Sequence, residues 1–173
     1  GTGTNYGAEI TLQKYFDKSF FFMFSGTVYN STYVASDGQE RSTSYNGNYV
    51  FNLLAGKEWK IGEKQSISIG FKGTIAGGKL YGYIDTAQTK LLQELIYKDE
   101  GFNTRQFPFY YRIDAKINWK FNAKRVTHEI GLDLINVTGR QNLLGLSYAP
   151  NLFDASAEPV AERYQLGFLP LFY

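Results

Sequence analysis

The chain has 173 residues, with 18 Lys and Arg against 16 Asp and Glu, and the resulting net charge of +2 is too small to argue for a nucleic-acid partner. It contains no Cys, which excludes disulfides and thiolate chemistry. No run of roughly 18 apolar residues is present, which excludes a transmembrane helix.

Composition points instead to strands. Aromatic residues make up 17% of the chain, and 14 Tyr, 14 Phe and 18 Gly stand against one Met and four Pro. A barrel strand that spans a membrane needs only every second residue to be apolar, so a mean hydropathy of −0.31 is compatible with one. The opening Gly-Thr-Gly-Thr-Asn-Tyr carries no charged and apolar leader pattern. Either a leader was removed or the chain begins partway through a longer protein.

In chain order, Tyr6, Ala8, Ile10 and Leu12 alternate with polar residues, and Phe20, Phe22, Phe24, Gly26 and Val28 repeat the pattern. Tyr49, Phe51, Leu53, Ala55 and Trp59 mark a third strand, and Ile67, Ile69, Phe71 and Ile75 a fourth. The fifth is the clearest. Between Phe109 and Asn122, the residues Phe109, Tyr111, Ile113, Ala115, Ile117, Trp119 and Phe121 alternate strictly with polar ones apart from Tyr110. Such a strand is about 45 Å long at roughly 3.3 Å per residue, and at a tilt of about 45° it crosses a bilayer. Val126, Ile130, Leu132 and Leu134 give a sixth strand, and Tyr164, Leu166, Phe168 and Phe172 a seventh.

Connections alternate in length. Short polar turns are expected at Asp17-Lys18, Gly62-Glu63-Lys64 and Asn122-Ala123-Lys124, and long connections at about 35–46, 77–107 and 138–161. Outer-membrane barrels sort their loops in this way, with short periplasmic turns and long extracellular loops. Tyr15, Phe16, Phe20, Trp59, Trp119 and Phe121 all fall near a short turn, which predicts an aromatic girdle at the periplasmic interface. Glu9, Glu58, Lys60, Lys72, Arg112, Asp114, Lys116, Lys120, Glu129 and Asp133 take the opposite face and predict a mixed-charge lumen wall.

An odd number of antiparallel strands cannot close on itself with every neighbour antiparallel, and open edges are costly in lipid. The expected fold is therefore all-β, a transmembrane barrel of which residues 1–173 are the C-terminal portion. Three stretches resemble the barrel of TonB-dependent outer-membrane receptors of the Bacteroidetes type. They are Arg105-Gln106-Phe107-Pro108-Phe109-Tyr110-Tyr111-Arg112-Ile113-Asp114, the run Leu132 to Asn142 ending in Asn136-Val137-Thr138-Gly139-Arg140-Gln141-Asn142, and Tyr164-Gln165-Leu166-Gly167-Phe168-Leu169-Pro170. The resemblance implies a barrel of about 22 strands. It also implies a plug domain and a TonB box N-terminal to this chain, the bacterial outer membrane as location, and energy-coupled uptake of a scarce nutrient such as a metal chelate. A passive porin or adhesin barrel shares everything that periodicity shows, and a soluble ligand-binding barrel is a further alternative.

No enzyme chemistry, cofactor or metal site is expected. His128 has no Cys to join it, and the neighbouring Glu129 points to the other face of its strand. Ligand contact is expected in the 77–107 connection, at Tyr81, Tyr83 and Asp85, ahead of a short helix over 86–97 whose Leu91, Leu92, Leu95 and Ile96 share a face.

Overall fold

The computed structural model of the protein describes residues 1–151, 153–154 and 156–173, so positions 152 and 155 of the expected 138–161 connection lie outside the described residues. Its elements in chain order are β1 (Thr2–Asp17), β2 (Phe20–Val34), β3 (Glu40–Ser42), β4 (Tyr49–Ile61), β5 (Gln65–Ala76), β6 (Leu80–Tyr81), α1 (Thr86–Leu92), β7 (Arg105–Gln106), β8 (Tyr110–Asn122), β9 (Thr127–Ile135), β10 (Leu143–Tyr148), β11 (Val160–Tyr164) and β12 (Leu169–Phe172).

Seven strands form one antiparallel sheet in the order β1-β2-β4-β5-β8-β9-β12, with β3 added beside β2. Every strand of that path pairs with its successor along the chain, so the sheet is an up-and-down meander. β1 and β12 stand at opposite edges and do not pair with each other, and the sheet is not closed.

The three tight turns lie at one end. Lys18 and Ser19, both at positive φ (50° and 64°), make the two-residue link from β1 to β2, a conformation whose twist matches that of the flanking strands. The long connections all leave from the other end. They carry the small β6–β7 and β10–β11 sheets and helix α1.

Register follows from the alternation. Phe71 of β5 lies between Ala55 of β4 and Ala115 of β8, so one large ring meets a small residue on each side. Counting outward from these rows sorts the sheet into two faces. Ile10, Leu12, Phe22, Phe24, Leu53, Ile67, Ile69, Phe71, Ile117, Ile130 and Leu132 share one face with Trp59 and Trp119. Lys14 and Lys57 also fall on that face, and each places its ammonium over a neighbouring ring, Phe20 at 5.9 Å and Trp59 at 5.3 Å.

A single layer of sheet has nothing to bury this face against. Among the described residues no hydrophobic side chain is buried, and Ile10, Ile69 and Ile130 are 54%, 45% and 59% exposed. Soluble domains pack a second layer over such a surface. Here cross-strand hydrogen bonds and side-by-side ring contacts, such as Phe24 with Phe51 at 6.3 Å, hold the layer together.

Two expected elements differ from those observed. The seventh strand begins at Leu169 rather than Tyr164, because Tyr164 pairs with Leu143 in the β10–β11 hairpin. The helix covers Thr86–Leu92 only. It ends where Gln93 turns left-handed (φ 56°), and Leu91 and Leu92 are 75% and 56% exposed instead of forming a packed face with Leu95 and Ile96.

Candidate functional site at the long-connection end

The run Asn136 to Asn142 builds the platform under the long connections. β9 ends as Asn136 turns left-handed (φ 54°), a conformation that Asn tolerates better than most residues. Its N–H donates to Asp114 Oδ1 (2.8 Å), and its carboxamide donates to the carbonyls of Arg140 (2.8 Å) and Leu166 (3.3 Å). Thr138 Oγ1 donates in turn to Asn136 Oδ1 (3.0 Å).

Four residues on, Arg140 donates to the Phe109 carbonyl (3.0 Å). Its guanidinium lies 4.7 Å from the Phe109 ring centroid and 4.5 Å from that of Tyr111. Asn142 then stands in for a strand. Its side chain accepts from the Tyr111 N–H (3.1 Å) and donates to the Tyr111 carbonyl (2.9 Å), as a neighbouring peptide would. Asn136 and Asn142 are only 2% and 3% exposed, so these bonds are shielded from water.

Asn46 and Asn103 do the same for the other long connections. Asn46 accepts from the Ser31 N–H (2.9 Å) and donates to Asn30 Oδ1 (2.8 Å), while Asn103 donates to the Ser42 carbonyl (2.7 Å). In the tip before β3, Arg41 grips Asp37 through two nitrogens (2.6 and 3.0 Å). That hydrogen bond, helped by the Gln39 N–H, pulls the Asp37 carboxyl down from 3.8 to about 2.

Above the platform lies a cavity of about 200 Å³ whose lining includes Tyr81, Phe107, Pro108, Arg140, Glu162 and Tyr164. Tyr81 stacks on Phe107 at 4.3 Å, with ring planes 12° apart, and the Tyr164 hydroxyl donates to Glu162. Aromatic walls with one cation and one carboxylate suit a small ligand that has both a flat apolar part and polar groups.

The three loop residues expected to touch ligand are not brought together. Tyr81 lines the cavity. Tyr83 lies under the Arg105 guanidinium, 4.7 Å away, and is not among the lining residues. Asp85 caps α1, its Oδ1 accepting the Gln88 N–H at 2.9 Å, so that oxygen is already engaged. Sequence reasoning missed Arg140, Glu162 and Tyr164. Arg140 and Tyr164 lie inside runs already singled out, though not as ligand contacts, whereas Glu162 lies in none and needs the β10–β11 pairing.

The expected polar wall falls on one face. Lys72 lies opposite Asp114, Lys116 opposite Asp133 and Lys120 opposite Glu129, with Glu58 and Lys60 opposite Ser68 and Ser66 on the same face and Glu9 opposite Thr27. Arg112 holds Asp114 in a fork (2.7 to 3.0 Å), and Lys116 Nζ comes within 3.5 Å of Asp133. Asn118 donates to Glu129.

Of the expected girdle, Phe20, Trp59, Trp119 and Phe121 take the apolar face, with Trp119 stacked on Phe121 at 6.3 Å. Phe16 sits in the bulge between Lys14 and Asp17, and its ring meets Phe21, which belongs to the polar face (6.4 Å). Tyr15, in the same bulge, is 77% exposed. His128 stacks on Phe121 at 6.2 Å, and among the described residues no group of three His, Cys, Asp or Glu gathers to hold a metal.

Fold and site together define an all-β chain: an open antiparallel sheet, apolar on one face, charged on the other, with its elaborated connections at one end. Compared with family models, with curated proteins and with solved structures, the chain matches none.

Proposed function

We propose that the chain is a section of the wall of an outer-membrane β-barrel, and that the parent protein is a TonB-dependent receptor of the Bacteroidetes type importing a scarce nutrient such as a metal chelate. The observation that carries the reading is the unburied apolar face, which extends over all seven strands of the sheet. Soluble monomers rarely expose an apolar patch of more than a few hundred Å². In lipid the same face needs no second layer.

Dimensions agree with this reading. β5 has 12 residues, and at roughly 3.4 Å each and a tilt of about 45° it rises by about 29 Å, close to the roughly 30 Å hydrocarbon thickness of a bilayer. The open edges β1 and β12 would pair with further strands of the barrel. The polar face would line the lumen and meet a plug domain or water, and the cavity at Tyr81 would open toward the cell exterior. The receptor assignment is supported by the resemblance of stretches within residues 105–170.

Fractionation of cells producing the full protein tests the wall. It should sediment with the outer membrane and leave it only in detergent, and a protein that stays monodisperse without detergent would sink the reading. Uptake tests the receptor. Transport of a metal chelate that stops when the proton-motive force is dissipated supports energy coupling, whereas transport that continues unchanged indicates a passive porin.

A further inference from the structure

The apolar face is not evenly filled. Gly73 occupies a position on it between Leu53 of β4 and Ile113 of β8, in a row where β1 and β2 carry Leu12 and Phe24. The rings of Phe51, Phe71 and Tyr111 stand around the gap and leave an apolar groove of about 280 Å³. Crowding does not force a glycine there. A Cβ at Gly73 would meet only the Phe71 ring, at 3.5 Å, whereas at Gly26 on the same face the Phe51 ring comes within 2.8 Å.

A cation lies at one end of this groove. Tyr111, which forms part of its wall, is also a seat of the Arg140 guanidinium, 4.5 Å from the ring centroid. Arg140 uses one nitrogen on the Phe109 carbonyl, and among the described residues no carboxylate lies within 4.0 Å of it. Its planar fork is thus positioned at the long-connection rim of an apolar surface with donors to spare, and a guanidinium in that state matches a phosphate. The groove itself offers no polar side chain that would orient a water-soluble ligand apart from Asn52 and Thr74 at its margin.

We infer that the Gly73 groove and Arg140 form one binding site for a phosphate-bearing lipid, with an acyl chain lying along the groove and the phosphate on the guanidinium. The inference rests on the membrane reading above and names the lipid chemistry that this stretch of wall selects. Two independent features, a vacancy in the apolar face and a cation with no ion pair among the described residues, share the Tyr111 ring and fit the two halves of one amphiphile.

The full protein, purified in a neutral detergent, is titrated with phosphatidic acid and with diacylglycerol of the same acyl chains, and bound lipid is counted by native mass spectrometry. One phosphatidic acid should be retained, favoured over diacylglycerol by about fivefold, the gain expected of one basic residue near a membrane surface. Arg140→Gln should make the two lipids equal, and Arg140→Lys should keep part of the preference. Gly73→Leu should weaken both lipids by filling the groove, and Gly73→Ala, whose methyl makes only ordinary contacts, keeps the test available if the larger residue disturbs folding.

Equal binding of the two lipids by the unaltered protein overturns the site. So does binding that neither position alters, or a Gly73→Leu effect on oligomeric state alone, which would make the groove an interface between copies. A protein that needs detergent yet shows no phosphate preference refutes only this site. One that is monodisperse without detergent refutes the membrane reading as well.

Discussion

Trp59 of β4 and Trp119 of β8 stand in one cross-strand row, two strands apart, each directly opposite Ile67 of β5. Trp119 also donates its indole N–H to Gln65 (3.2 Å), so its ring is oriented from the side of the short turn. Two strand spacings of roughly 4.8 Å at a tilt of about 40° separate the two rings by about 6 Å in depth. Single-tryptophan proteins, made by Trp59→Phe or Trp119→Phe and placed in vesicles of lipids brominated at graded depths, should report both indoles near the interface and within that distance of each other. Quenching of one indole at the bilayer centre, or of neither at any depth, would count against the girdle.

The Asn142 carboxamide satisfies both backbone groups of Tyr111 at 3% exposure, so its loss strands a buried donor and a buried acceptor together. At roughly 1 to 3 kcal/mol for each group, Asn142→Leu should cost about 2 to 6 kcal/mol, read as a lower urea midpoint in detergent. Amide exchange at Tyr111 should rise along with it. Asn142→Asp keeps an acceptor for the Tyr111 N–H but loses the donor to its carbonyl, so it should still destabilise. A midpoint unmoved by Asn142→Leu would show that the long connection is held elsewhere.

Legibility in the sequence tracks how directly each residue reports its own surroundings. Phe109 to Asn122 could be read because each residue there declares a face, and β8 is observed at Tyr110–Asn122. The outer parts of β1 and β2 were invisible because Thr2, Thr4, Asn30, Ser31 and Thr32 are polar on both faces, yet they pair in register. Alternation predicts one strand through Tyr164, Leu166 and Phe168, whereas Tyr164 ends β11 opposite Leu143 and residues 165–168 lie between strands. The site was less legible than the fold. Aromatic content in a long connection singles out Tyr81, which lines the cavity, whereas Arg140 and Glu162 enter it from separate segments that only tertiary pairing brings together.

The sequence predicts ligand contact at Asp85, and the structure shows it capping α1, a role that substitution can isolate. Asp85→Ala removes the acceptor for the Gln88 N–H and should destabilise α1 by about 1 kcal/mol, whereas Asp85→Asn retains an oxygen there and should be nearly neutral. Amide exchange at Gln88 and Thr89 measures both. If the Asn variant exchanged as fast as the Ala variant, the carboxylate charge rather than the cap would be what matters.

The hairpin tip before β3 should respond to acid. Asp37 has its carboxyl lowered from 3.8 to about 2 by Arg41 and the Gln39 N–H, so the folded state favours the charged form. The resulting stabilisation is fully present above the ordinary value of 3.8 and disappears as pH falls through about 2. Exchange at Gln39, whose N–H donates to Asp37 Oδ1 (3.0 Å), should therefore keep its protection at pH 4 and lose it near pH 2, after correction for intrinsic rates. Asp37→Asn should abolish that pH dependence, and a transition that persists in this variant would place its origin in another group.

On the polar face, Lys116 and Asp133 form an ion pair at 3.5 Å with side chains 51% and 34% exposed, and Lys116 also lies over the Tyr173 ring at 4.7 Å. A pair that open to solvent contributes little, so a Lys116→Met, Asp133→Leu double-mutant cycle should give a coupling below about 1 kcal/mol that shrinks further in salt. Asp114 is different in kind. It receives the Arg112 fork and the Asn136 N–H at once (2.7 to 3.0 Å), and Asp114→Ala should cost more than either member of the exposed pair because it leaves a buried N–H without its acceptor. If the wall's charges serve a partner inside a lumen, removing Lys116 and Asp133 should leave the urea midpoint almost unchanged while altering transport. A large loss of stability with normal transport would make the pair a structural one.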